Sequence, residues 1–291
     1  MPDVVELFAG PGGLSEGLRA ALGDLDVLAV ENDVDAVSTA RAAGHPRVKA
    51  DVAHYPMRHG RGCDGVAAAP PCQSFSMGGL RLREADPRGR LVHEPLRWAL
   101  ELRPRWVVLE QVPEVLPIWR RHLRALVDAG YRGWCGVVNA VDYSTPQDRR
   151  RAVLLARRDG RPVGPPVRHL ARISAAAALG WRPADQFGLP RRADPGRHAV
   201  EWNGQLYRER DLRRASQPSH TVTGKARSWQ RWTRDAQGRP VVVPVELAEV
   251  SVLQGFRADY PWRGLRSNRF QALANATPPP LARALVARAT R

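Results

Sequence analysis

The chain has 291 residues, 43% apolar and 25% charged, which excludes a disordered protein, and no apolar run approaches the roughly 20 residues of a membrane span. It has no secretory signal pattern, and its three cysteines and eight histidines lack disulfide or metal-ligand spacing, so we expect a cytoplasmic protein without a bound metal. The 45 basic residues exceed the 29 acidic ones, giving a net charge of +16 that favours a polyanionic partner such as nucleic acid. Arginine occupies all but two of the basic positions, a bias that a GC-rich genome also explains.

The first 160 residues alternate between short apolar runs, which are typical of strands, and periodic segments, which are typical of helices. The predicted strands lie at 4–8, 27–30, 48–50, 65–69, 106–109 and 153–156. The predicted helices between them lie at 14–22, 36–43, 95–102 and 119–129. Alternation at this spacing predicts an α/β fold with a mostly parallel sheet and helices on both faces.

Beyond residue 160 this alternation stops. Residues 161–244 are rich in proline, arginine and tryptophan and have few periodic segments. Helical periodicity returns at 245–253 and at 270–289, where three consecutive prolines interrupt it. We therefore predict a large domain of residues 1–160 that is completed by 245–291, with 161–244 inserted as a smaller domain.

A glycine-rich turn, FAGPGG at residues 8–13, directly follows the first predicted strand. Glycines there let the backbone approach a ligand, and the next helix offers the N–H groups of its first turn. Glu31, at the end of the second strand, is placed to bind ribose hydroxyls, and Asp51, after the third, is placed to reach an adenine. Because Ser15 occupies the third glycine position of the GxGxxG pattern, a plain structural turn remains the alternative to a site for an adenosine-type cofactor.

Residues 13–17 (GLSEG) also match the GxSxG pattern of hydrolases. In those enzymes the serine lies on a sharp turn between a strand and a helix. Here Ser15 falls within a predicted helix, so a hydrolase is not expected.

The segment PPCQSFS at residues 70–76 follows another predicted strand, at the edge where parallel sheets bind ligands. A second strand ends in Glu110, so the thiol of Cys72 and a carboxyl group can meet at that edge. Arg149 and Arg151 precede a further strand, and arginines near a thiol favour its ionised form. The alternative is a Pro-Pro turn beside a small, buried, unreactive cysteine.

Taken in chain order, these segments resemble the motifs of the DNA (cytosine-5)-methyltransferase family. The resemblance covers nearly the whole chain and includes residues 7–13, 31, 51, 71–76, 110–112, 147–151, 253–256 and 275–279. It implies a Rossmann-like S-adenosylmethionine-dependent methyltransferase fold, with S-adenosyl-L-methionine as cofactor and an inserted target-recognition domain. It also implies that Cys72 is the nucleophile, that Glu110 contacts the cytosine ring, and that Arg149 and Arg151 stabilise the adduct or a flanking phosphate.

The same resemblance implies which other residues bind the cofactor and the DNA. The expected cofactor contacts are Phe8, Ala9, Gly10, Gly12, Gly13, Glu31, Asn32, Asp51, Val52, Pro70 and Asn275. The expected DNA contacts are Gln73, Ser74, Ser76, Gln147, Thr223, Lys225 and Arg227. A basic segment at 77–90 is either a loop that closes over DNA or a solvated surface loop.

Three positions depart from the family pattern. Gln111 replaces the usual Asn after Glu110, which leaves the positioning of Glu110 and the nearby loop open. Val252 stands where an Arg is common, and Ala274 replaces a Gly. None of these changes removes a group that performs chemistry.

The function implied is methylation of carbon 5 of a cytosine that is flipped out of double-stranded DNA. The Cys72 thiolate would add to carbon 6, and Glu110 would stabilise the negative charge that develops on the ring. We expect a sequence-specific monomer, with or without a cognate restriction endonuclease.

A transfer-RNA cytosine-5 methyltransferase is the alternative, because family members acting on RNA share the Pro-Pro-Cys-Gln motif, but the basic inserted region favours DNA. A non-catalytic DNA-binding protein is a remote alternative, since it would need neither Cys72 nor Glu110.

Overall fold

The computed structural model describes residues 1–71, 87–169, 171–193, 199–202 and 204–291, with residues 87 and 88 described by their backbone alone. Within these ranges the strands are β1 (Val4–Leu7), β2 (Val27–Glu31), β3 (Val48–Lys49), β4 (Gly65–Ala68), β5 (Trp106–Gln111), β6 (Arg132–Asn139), β7 (Arg150–Arg157), β8 (Gln186–Gly188), β9 (Ala199–Trp202), β10 (Gln205–Arg208), β11 (Leu212–Arg214), β12 (Gln230–Arg234) and β13 (Pro240–Pro244). The α-helices are α1 (Gly13–Leu22), α2 (Val34–Ala42), α3 (Pro87–Arg90), α4 (Glu94–Leu102), α5 (Leu116–Asp128), α6 (Ala175–Leu179), α7 (Leu247–Leu253), α8 (Arg266–Asn275) and α9 (Pro279–Thr290). No helix in the described part of the chain is long and apolar enough to span a membrane.

The largest sheet has seven strands in the order β3-β2-β1-β4-β5-β7-β6. The five strands from β3 to β5 are parallel, and β7 and β6 are antiparallel to them. Leu7, Ala68 and Leu109 are register partners, so β1, β4 and β5 end at the same edge. Since β7 runs the other way, it begins at that edge. The topology therefore gathers four chain segments at one edge of the sheet.

Helices cover both faces of this sheet, and the predicted α/β fold with a mostly parallel sheet is confirmed. Side chains alternate along β1: Val5 and Leu7 contribute to one apolar cluster with Trp98 of α4, whereas Val4 contributes to another with Leu285 of α9. Strands covered on both faces read as continuous apolar runs, which is why the sequence pattern located them.

The last helix, α9, packs against the first, α1. A Cβ atom placed on Gly17 would lie 2.3 Å from the Cβ of Ala282, so only glycine permits this close approach. Two segments from opposite ends of the sequence thus cover the same face of the sheet.

Residues 161–244 contain two antiparallel sheets that the sequence pattern did not predict. One pairs β9 with β10, and the other has the order β11-β8-β12-β13. The strands are short and carry several arginines, so no apolar alternation marks them. Their core extends beyond residue 244, because Phe187 and Trp229 lie in the same apolar cluster as Leu253 and Phe270. The predicted boundary at 244 runs through this cluster, and the domain limits remain a prediction.

Two further differences from the predicted elements have local causes. Strand β6 was not predicted, because Gly133 and Gly136 interrupt its pattern and it lies at the sheet edge. The periodic segment at 270–289 is two helices, α8 and α9, because Pro279 at the first position of α9 starts a new helix. Ser15 lies in α1 as predicted, and its buried hydroxyl donates to Glu6.

The structure predicts an acid-sensitive site at His122 of α5, whose ring is buried against Trp119 and whose Nε2 lies 3.0 Å from Nδ1 of His93. Burial lowers the pKa of His122 to about 3, with smaller effects from His93 and Arg121. The unfolded chain binds this proton near pH 6.5, so stability is lost as the pH falls from about 6.5 towards 3.

Replacing His122 with Phe should remove this loss. Between pH 5.5 and 4.5 we expect the unfolding free energy of the wild type to fall by about 1.4 kcal/mol per pH unit relative to the variant. Urea unfolding at several pH values measures this difference. Equal slopes for the two proteins would contradict it.

Candidate active site

A cleft of about 410 Å³ opens at the edge of the sheet where β1, β4 and β5 end. Predicted residues that line it are Phe8, Ala9, Gly10, Gly13, Glu31, Pro70, Glu110, Arg149, Arg151 and Asn275. The structure therefore brings the glycine turn, the segment before Cys72, the end of β5 and the start of β7 to one cavity. Parallel sheets bind ligands at this edge.

The glycine turn forms one wall of the cleft and is bonded to Glu31. Gly10 lies in the left-handed backbone region (φ 55°), and its N–H donates to Glu31 Oε2 over 2.8 Å. The other carboxylate oxygen of Glu31 accepts from the backbone N–H groups of Asn32 and Asp33, each over 2.7 Å. Three backbone amides thus hold the carboxylate at the cleft.

Glu110, near the end of β5, is buried with its carboxylate held from two sides. Arg151 of β7 places Nε 2.8 Å from Oε1 of Glu110, and Thr277 donates its hydroxyl hydrogen to Oε2 over 3.1 Å. Thr277 is brought here by close contact with α1, since a Cβ on Gly13 would lie 2.1 Å from the Thr277 carbonyl oxygen. A carboxyl group held by a guanidinium and a hydroxyl group is thereby fixed in the cleft wall.

The Gln111 side chain connects two of the strand ends. Its amide nitrogen donates to the carbonyl oxygen of Pro70, and its amide oxygen accepts from the Val112 N–H over 2.5 Å. Gln111 thus bonds β5 to the backbone two residues before Cys72. The Gln111 side chain, which replaces the usual Asn, therefore contacts the segment that follows β4.

Gln147 and Arg149 are buried connectors. The Gln147 amide donates to Gln254 Oε1 over 2.6 Å and accepts from the Val222 N–H over 2.9 Å. Arg149 donates to the carbonyl oxygens of Val222 and Ala274. Gln147 is fully buried and its amide is bonded within the protein, and its contact with DNA remains a prediction.

Other predicted residues do not line the cleft or lie outside the described residues. In the described part of the chain, Gly12, Asn32, Asp51, Val52, Gln147, Thr223, Lys225 and Arg227 are not among the lining residues. Cys72, Gln73, Ser74 and Ser76 lie outside the described residues, as does most of the basic segment at 77–90. The Asp51 carboxylate instead accepts from the Ala53 N–H over 2.9 Å and contacts His54.

The region expected to read DNA has an exposed basic surface over an aromatic core. Thr223, Lys225 and Arg227 are exposed, around a short 3₁₀ helix. Trp181 and Trp229 are buried in its core, and the Arg231 guanidinium lies 4.8 Å from the Trp181 ring centroid. In the described ranges, no group of His, Cys, Asp and Glu residues has the geometry of a metal site.

The sequence analysis missed several lining residues. Asn268 and Gln271, together with the predicted Asn275, lie on one face of α8 at spacings of three and four. This polar stripe is visible in the sequence. Thr277 and Asp33 also line the cleft. Thr277 lies within the motif at 275–279 but was not predicted as a site residue, and Asp33 has no signal that distinguishes it from a capping residue.

Comparison with known proteins assigns the chain to a family. Residues 3–177, more than half of the chain, match the family model of C-5 cytosine-specific DNA methylases. The chain belongs to this family. The predicted family and enzyme class are confirmed, and family members use S-adenosylmethionine as methyl donor.

Curated relatives of this methyltransferase are named type II methyltransferases. M1.HphI of Haemophilus parahaemolyticus is 28% identical, over 97% of this chain and 84% of the relative. M.NaeI of Lentzea aerocolonigenes is 30% identical, over 97% of this chain and 73% of the relative. M.XorII of Xanthomonas oryzae pv. oryzae is 34% identical over 64% of this chain, and the match spans only 48% of that relative.

Solved structures show the same fold as this methyltransferase. Spodoptera frugiperda DNMT2 has a TM-score of 0.68 at 14% identity, covering 99% of both chains. The Entamoeba histolytica methyltransferase EhMeth has a TM-score of 0.68 at 13% identity, covering 97% of this chain and 96% of the other. At such low identity the similarity supports the fold alone.

Proposed function

We propose that this protein methylates carbon 5 of a cytosine flipped out of double-stranded DNA, at a specific sequence, through a covalent bond to Cys72. The observation that carries this proposal is the buried Glu110 carboxylate, fixed by Arg151 and Thr277 in the same cleft as the glycine turn and Pro70. The chain reaches Cys72 two residues after Pro70.

The residues of the cleft fit S-adenosylmethionine. The Glu31 carboxylate suits a pair of ribose hydroxyls, and the N-terminus of α1, where Gly13 lines the cleft, suits the anionic carboxylate of the cofactor. Asn275 adds an amide to the lining of the cleft. When bound, this cofactor supplies an electrophilic methyl group.

The protein's own groups activate the pyrimidine. Carbon 5 of cytosine is a poor nucleophile, and addition of the Cys72 thiolate to carbon 6 moves an electron pair towards carbon 5 and the ring. The Glu110 carboxyl group, hydrogen-bonded through its proton to ring nitrogen 3, stabilises the negative charge that develops on the ring, and Arg151 orients Glu110. After methylation, transfer of the carbon 5 proton to a base such as water re-forms the double bond and expels Cys72 as the thiolate.

Exposed cations favour a nucleic acid as the substrate. Lys225 and Arg227 lie in the segment that follows the buried Val222, which Gln147 and Arg149 bond to the catalytic edge. Phosphate contacts at these exposed residues would therefore be linked to the cleft through the hydrogen bonds of Val222 with Gln147 and Arg149. Such contacts position a duplex, while base contacts provide sequence specificity.

The test is transfer of tritiated methyl groups into two substrates, unmethylated duplex DNA and total transfer RNA. We expect label in duplex DNA, recovered as 5-methylcytosine at one sequence motif by bisulfite sequencing. Label in transfer RNA alone would overturn the choice of substrate in favour of an RNA methyltransferase.

A further inference from the structure

Behind the glycine turn lies a buried polar cluster that does not line the cleft. Glu6 in the middle of β1 is fully buried, although its neighbours in the strand are apolar. Its carboxylate accepts from the Ser15 hydroxyl over 2.5 Å and lies 3.9 Å from the Arg47 guanidinium. Burial raises the pKa of Glu6, while the positive charge of Arg47 opposes this shift. A buried carboxylate is costly, so the cluster calls for an explanation.

Arg47 does more than balance the charge of Glu6. From the loop after α2, it donates from Nε to the carbonyl oxygen of Gly10 and from a terminal nitrogen to that of Ala9, each over 3.3 Å. The same terminal nitrogen lies 2.7 Å from the Ser15 hydroxyl oxygen. The planar guanidinium therefore binds two successive carbonyl groups of the turn, which is a fork geometry that a lysine ammonium does not reproduce.

These bonds fix the orientation of one peptide group that also faces the cleft. The carbonyl of Ala9 and the N–H of Gly10 belong to the same planar peptide and point in opposite directions. Arg47 holds the carbonyl end, and Glu31 holds the N–H end over 2.8 Å. The position of Glu31 in the cleft is thus coupled through this peptide to Arg47.

The next carbonyl of the turn is held in the same way. Tyr260, from the segment after α7, donates its hydroxyl hydrogen to the carbonyl oxygen of Pro11 over 2.7 Å. A Cβ on Gly12 would lie 2.5 Å from that hydroxyl oxygen, so the two groups are in close contact. The carbonyls of three successive residues are therefore bonded to side chains outside the cleft lining.

We infer that Arg47 is a positioning residue of the cofactor site, which orients the Ala9–Gly10 peptide and with it the Glu31 carboxylate for the ribose of S-adenosylmethionine. The inference rests on the proposed function, because it takes the cleft as the cofactor site. Glu6 and Ser15 then serve to hold the Arg47 guanidinium in place.

The test measures binding of S-adenosylmethionine by calorimetry, without DNA, alongside the melting temperature. Arg47→Lys keeps the charge that balances Glu6 and loses the fork. The double variant Glu6→Gln/Arg47→Met removes both charges, so no unpaired ion remains buried. Arg157→Lys is the matched control, because Arg157 is an equally buried arginine in β7 that pairs with Asp159 at the far end of that strand.

We expect Arg47→Lys and the double variant each to bind S-adenosylmethionine about tenfold more weakly, as the loss of charge-assisted hydrogen bonds predicts. Arg157→Lys should bind like the wild type. Wild-type affinity in either folded Arg47 variant would overturn the inference, since Arg47 would then only balance Glu6. If neither variant folds, Arg47 is required for the fold itself and the inference is rejected. A wild-type protein that binds no S-adenosylmethionine would refute the proposed function instead.

Discussion

Replacing Cys72 with serine should reduce methyl transfer by about a thousand-fold or more, with DNA binding retained. A serine hydroxyl is not ionised near neutral pH and is a far weaker nucleophile than a thiolate, so addition to carbon 6 would nearly cease. The measurement is single-turnover methylation of duplex DNA, together with a DNA-binding assay on the same protein.

The matched control is Cys135→Ser, in the edge strand β6, which should keep wild-type activity. Duplex DNA with 5-fluorocytosine at the target position adds a direct readout, because fluorine cannot leave carbon 5 as a proton does. The wild type should form a covalent complex with this DNA, and Cys72→Ser should not. Substantial turnover by Cys72→Ser would refute the assignment of the nucleophile.

Replacing Glu110 with glutamine should slow methyl transfer by about 10²–10⁴-fold. Glutamine has nearly the same size and can still accept from Thr277, so the wall of the cleft is preserved. It cannot give a proton to ring nitrogen 3, however, so the negative charge that develops on the ring is no longer stabilised, and Arg151 loses its carboxyl partner.

The loss should appear in the single-turnover rate, while S-adenosylmethionine affinity stays within about twofold of the wild type. Glu101→Gln, at an exposed position of α4, is the control and should leave the rate unchanged. A Glu110→Gln protein that turns over at the wild-type rate would show that the carboxylate has no role in the chemistry.

Much of the sheet edge that lines the cleft could be predicted, because its features depend on local sequence. A strand that is buried on both faces is apolar over most of its length, and glycine is common in a turn that approaches a ligand. The sequence pattern therefore locates β1, β4 and β5 and the residues that follow them. The placement of Glu31 and Glu110 in one cleft followed from the parallel order of these strands.

The parts that could not be predicted depend on contacts between distant segments. Gln147 and Val222 are bonded across 75 residues, and Thr277 and Glu110 across 167, and neither pairing leaves a periodic signal. Arg47 had no motif at all, because its function as a donor to backbone carbonyls requires no particular neighbours. The short strands β8 to β13 were missed because arginine and proline positions obscure their alternation.

The apolar cluster that joins Phe187 and Trp229 to Leu253 and Phe270 has a consequence for engineering new target specificity. A chimaera that exchanges only residues 161–244 with a relative would match half of a foreign core to half of the native one, creating voids or clashes among large aromatic rings. A graft that extends through Ala276 would carry all of the buried residues of this cluster with it. The natural unit of exchange is therefore longer than residues 161–244.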